Sequence, residues 1–100
     1  MTSNDLKRIK RALESQHGGT AVFVQSVPVN EWIPGVWVRE NVVRVFDLIG
    51  HPEASRAYAW LSPIEGTKRD RVFAMLHRGE IRSPLDAVRA VAVTMLWTRR

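Results

Sequence analysis

Asp47, His51 and Glu53 fall close together in the stretch VFDLIGHPEASRAYAW, Val45–Trp60. A carboxylate and an imidazole this close can exchange a proton or share a metal ion. His77 offers a second imidazole, so Asp47, His51 and His77 together would suffice for an acid–base or metal site. The spacing does not require these groups to meet. Asp47 belongs to a strand-like run, whereas His51 and Glu53 stand in a turn shaped by Gly50 and Pro52. No HxH, HExxH or clustered-carboxylate spacing is present. Ser3, Ser15, Ser55, Ser62 and Ser83 all occupy cap or turn contexts, and no GxSxG occurs. Gly18-Gly19 lacks the spacing of a phosphate loop. The expectation is strand–turn–strand, with no catalytic constellation, no cofactor and no metal.

Two other groups of residues carry recognition chemistry. Four tryptophans stand among 100 residues. Tyr58 and Trp60, beside Arg56, alternate along a strand, a spacing that ordinarily turns aromatics into a core against helices; exposed, they could stack bases or contact a protein. Trp32 lies in a Pro-flanked loop and is expected to anchor a protein contact. The second group is basic. Lys7, Arg8, Lys10 and Arg11 fall off the apolar stripe of the first helix, and Lys68, Arg69 and Arg71 surround a hairpin. Both sets suit phosphate contacts.

The chain holds 15 Lys and Arg against 10 Asp and Glu, a formal charge of +5. Such a balance steers a protein toward nucleic acid or acidic partners. Only three of the 15 are Lys, and the basic residues are spread along the chain. Absence of cysteine excludes disulfides, zinc–thiolate sites and thiol chemistry. No apolar run approaches the roughly 20 residues of a membrane-spanning helix. The segment MTSNDLKRIKRALESQHGG has no apolar core of a signal peptide, so a cytoplasmic location is expected.

These residues are positioned by six elements. SNDLKRIKRALESQH, 3–17, reads as a helix: Ser3 or Asn4 caps it, Leu6, Ile9 and Leu13 form its stripe, and Gly18-Gly19 ends it. His17 is expected to meet the carbonyl end of that helix. TAVFVQSVPV, 20–29, reads as a strand, limited to a sheet edge by Pro28. Residues 36–49 read as a strand bent near Arg39–Asn41. Neither face of its second half is polar, so it is expected to be covered partly on both sides. Strands follow at 56–62 and 71–77, joined by a hairpin with Gly66 at its tip. Ser83, Pro84 and Asp86 open a second helix as cap, first position and first-turn acid. Its apolar face is Leu85, Val88, Ala92, Met95 and Leu96, widened by Val91 and Trp97. The order α-β-β-β-β-α with short connections predicts one α+β domain over residues 1–100. An antiparallel four-stranded meander is expected, with both helices packed on one face.

The α-β-β-β-α part of this order resembles the double-stranded RNA-binding domain in architecture alone. That resemblance implies RNA contacts from the first helix and the start of the second. The chain departs from it at Arg78–Asp86, where two acids and no lysine occur. Three segments, Val45–Trp60, Phe73–His77 and Ser83–Ala90, resemble small bacterial proteins sharing VFDLxGHPxAxRAYAW, FAxLH and SPxxAVRA. They cover about half the chain and imply no chemistry. The functional expectation is a non-enzymatic binding or regulatory module working through protein contacts, as a homodimer or with another protein. The alternative is a nucleic-acid-binding module using the first helix and the hairpin.

Overall fold

The computed structural model describes residues 3–31, 33 and 36–98. Trp32 lies outside the described residues, as do the side chains of Met95, Leu96 and Trp97. The elements are α1 (Ser3–His17), β1 (Thr20–Pro28), β2 (Val42–Ile49), β3 (Arg56–Pro63), β4 (Asp70–Leu76) and α2 (Pro84–Thr98). The four strands form one antiparallel meander in the order β1-β2-β3-β4. The predicted order and class are therefore those of the protein.

The helices do not share a face. Ile9 and Leu13 of α1 pack with Ala21, Phe46, Leu48, Ala57, Ala59, Leu61, Ala74 and Leu76. Ala87, Val88, Val91 and Ala92 of α2 pack with Val43, Val45, Tyr58 and Trp60. Successive strand residues point to opposite faces, so these are two cores with the sheet between them. The two-layer expectation is corrected to three layers. The reason lies in β2 and β3: both of their faces are apolar, each face must be buried, and two helices are available.

Local chemistry accounts for most element ends. Gly18 and Gly19 have positive φ, and a Cβ on Gly19 would stand 3.0 Å from the Ile49 carbonyl oxygen. Glycine is thus required where α1 turns back against the β2–β3 turn. At α2, the Asp86 amide donates to Ser83 Oγ at 3.1 Å, and the Arg82 amide donates to Asp86 Oδ2 at 3.1 Å. The first bond satisfies a free amide of the first turn, and the second ties the residue before the cap to that turn.

Residues 36–41 are not strand, contrary to expectation. Glu40 and Asn41 adopt φ of 58° and 54° in a 3-10 turn, Arg39–Asn41, which delays β2 to Val42. The expected bend is thus a full break. A second irregularity is a bulge in β1 at Val24, between the pairs Phe23–Phe46 and Gln25–Val45.

Candidate interaction surfaces

Asp47, His51 and His77 do not come together as an acid–base group. Asp47, Arg56 and His77 lie in one cross-strand row, because Asp47 pairs with Arg56 and the His77 amide donates to the Arg56 carbonyl. Arg56 therefore separates the other two and forms an ion pair with Asp47 at 3.7 Å. His51 Nδ1 accepts the Glu53 and Ala54 amides at 3.0 and 3.1 Å, a turn-stabilising role. Glu53 pairs with Arg78. Among the described residues, no three His, Asp or Glu side chains are grouped as a metal site would need.

His77 instead shares a 2.5 Å hydrogen bond with the Tyr58 hydroxyl. Tyr58 and Trp60 are buried under α2, in keeping with the core reading of their spacing; they present no surface to a protein or a base, which removes them as contact residues. Burial pushes the Tyr58 phenol pKa up, with Asp86 adding to the effect and Arg56 opposing it. The Trp60 indole N–H has no hydrogen-bond partner among the described residues. Of the two tryptophans whose side chains are described, Trp37 lies open, at 69% exposure, between buried Val36 and half-buried Val38.

α1 reaches both margins of the sheet with its side chains. The bond from the His77 amide to Arg56 fixes which β4 residues face inward, so Asp70 and Ala74 direct their carbonyls outward. The Arg8 guanidinium donates to the Asp70 carbonyl, and His17 Nε2 donates to the Ala74 carbonyl at 3.2 Å. Nine helical residues and four strand residues each span about 13 Å, so α1 runs alongside β4 and is tied to it near its middle and at its C-terminal end. His17 thus serves β4 and not the end of its own helix. On the opposite margin Glu14 accepts the Ala21 amide at 2.8 Å.

The basic residues keep their expected exposure. Lys7, Arg8, Lys10, Arg11, Lys68, Arg69 and Arg71 are all exposed. The Arg8–Asp70 contact brings helix and hairpin to one side of the fold. Arg39 joins them through Asp70 Oδ2 at 2.6 Å. Lys10 stands 3.9 Å from Glu14. Arg71 shares its strand face with Phe73, and so lies on the α2 side of β4. Arg44, on the α1 side of β2, is buried; its desolvation pulls the guanidinium pKa down against the pull of Glu40 and Asp5.

β1 differs from the other strands. Ala21 is buried, while Val22, Phe23 and Val24 are 45, 41 and 42% exposed. Ile49, across from Thr20, is 62% exposed. Leu6, Lys7, Lys10, Thr20, Ala21, Val22, Phe23 and Phe46 line a hollow between α1 and this margin. Phe23 and Phe46 meet edge to face, 5.8 Å between centroids, at its floor.

The chain matches no family model, no curated protein and no solved structure. The start of α2 and the whole of α1 lie on opposite faces of the sheet, so they offer no shared surface of the kind the RNA-binding resemblance implies.

Proposed function

We propose that the protein is a non-enzymatic binding module of the cytoplasm that takes a protein partner along the β1 margin. One observation carries this reading: three consecutive apolar residues, Val22–Val24, are exposed on an edge strand. Edge strands in small domains are ordinarily blunted, because open amides and carbonyls template further pairing. Exposed apolar groups joined to such an edge mark an interaction site. A photocrosslinker at Val24, with a second at exposed Ser15 on α1 as control, tests it. Protein adducts from Val24 alone are expected. Equal adducts from both positions would overturn the reading.

The Arg8–Asp70 contact favours a second reading, nucleic-acid binding across α1 and the hairpin. Salt titration of binding to labelled duplex RNA, duplex DNA and single strands separates the two. Affinity falling steeply with salt, and less steeply in a Lys68→Ala, Arg69→Ala double variant, would favour nucleic acid. No binding near ~50 mM salt would favour the protein partner.

A further inference from the structure

Resting on the β1 margin as the contact surface, we propose that its occupant is an extended, acidic–apolar segment of another protein, added as a fifth strand outside β1. The β1 register determines what that edge presents. The Val29 amide donates to Asn41, which places Val27 and Gln25 in the inner ladder and turns Ser26 and Pro28 outward. Before the bulge, Ala21 and Phe23 face outward, as the Glu14–Ala21 bond confirms. Glu14 occupies the donor at Ala21, and Pro28 has none. Phe23 and Ser26 keep theirs. The edge is therefore closed to a long regular partner strand and open over a short central stretch.

An added strand would place alternate side chains on the two faces. On the α1 face they meet the hollow of Leu6, Phe23 and Phe46, rimmed by Lys7 and Lys10. On the other face they meet Val22 and Ile49, both exposed. Lys7 has no acid partner among the described residues, and Lys10 has only the distant Glu14 carboxylate. The matching segment thus alternates carboxylates toward the lysines with apolar groups toward Val22 and Ile49. A second copy of this chain fits less well. Its own β1, TAVFVQSVP, carries no acid, and two chains of +5 repel.

The experiment uses a fluorescent octapeptide of alternating Glu and Val, and a control of alternating Lys and Val. Exchanging attraction for repulsion at two exposed lysines is expected to separate the two peptides about tenfold in Kd, with the Glu peptide tighter. The double variant Lys7→Glu, Lys10→Glu is expected to reverse that preference. Ser26→Pro removes an outward amide and leaves the inner ladder intact, so it is expected to weaken the Glu peptide with circular dichroism unchanged. Equal binding of both peptides, or a preference indifferent to the lysine variants, would overturn the proposal. Light scattering separates the two levels. A dimer dissolved by Val22→Lys would overturn the acidic segment and leave the β1 contact surface standing. A monomer that binds neither peptide and gives no adduct at Val24 would overturn both.

Discussion

The strand β3 shows its two helices opposite surfaces. Toward α1 it presents Ala57, Ala59 and Leu61, joined by Ala21 and Ala74 from neighbouring strands. Toward α2 it presents Tyr58 and Trp60, with Phe73 stacked on Trp60 at 5.6 Å. The helices compensate in opposite senses. α1 brings Ile9 and Leu13 to the alanine face, whereas α2 brings Ala87 and Ala92 with two valines to the aromatic face. Bulk sits on the helix in one layer and on the sheet in the other. Near-crystalline packing is met either way, because only the summed volume across each interface is constrained. The two layers should nonetheless respond differently to mutation: one fails by losing a large ring, the other by gaining any bulk.

The largest effect is expected from Trp60→Ala, which empties the centre of the aromatic layer. A loss of about 4 kcal/mol is anticipated, measurable by urea unfolding. Since domains of this size hold only about 5–15 kcal/mol in total, the variant should be marginally folded. On the alanine face the informative change is the reverse. Ala57→Leu should cost about 2 kcal/mol by overpacking against α1, and Leu13→Ala in the same chain should cost less than when made alone. Tolerance of Ala57→Leu within about 0.5 kcal/mol would mean that α1 does not pack closely there.

Tyr58→Phe removes the bond to His77 and should cost about 1 kcal/mol near neutral pH. Its pH signature is sharper. The folded phenol pKa is raised, so its contribution is complete below the ordinary tyrosine pKa of about 10 and is lost as pH climbs through the folded value. The wild type should therefore lose stability on the alkaline side in a step that Tyr58→Phe lacks. The smallest effect is expected at the exposed pair Arg89–Glu31. The Arg89 guanidinium hydrogen-bonds the Glu31 carboxyl and lowers its pKa. Whatever the pair contributes is present at neutral pH and lost as pH falls through the lowered value. In Arg89→Ala the Glu31 carboxyl should titrate higher by NMR, with the midpoint of thermal unfolding nearly unchanged.

Much of this fold was legible in the chain. The stripe Leu6–Ile9–Leu13, the Ser83-Pro84 start and the Gly50–Pro52 turn each announce themselves through a local rule. Even the burial of both faces of β2 was visible in Val43, Val45, Phe46 and Leu48. The division of the helices between faces follows only once both apolar faces of β2 and β3 are set against two helices, a long-range condition that no single segment carries. Tyr58 and Trp60 show the same limit. Alternation places them on one face together, but which helix covers that face is a long-range matter. The edge contacts of Arg8, Glu14 and His17 had no sequence signal, since they join residues that only the assembled sheet brings near.

The ties from Arg8 and His17 to β4 also set an order in time. Their acceptors lie 62 and 57 residues further along the chain. At roughly 5–20 residues per second, a ribosome needs about 3–12 s to deliver β4 after α1 has been made. Ala21, Phe46, Leu48 and Ala57, which also cover Ile9 and Leu13, emerge earlier, so it is the closing of this core at its outer margin that waits for β4.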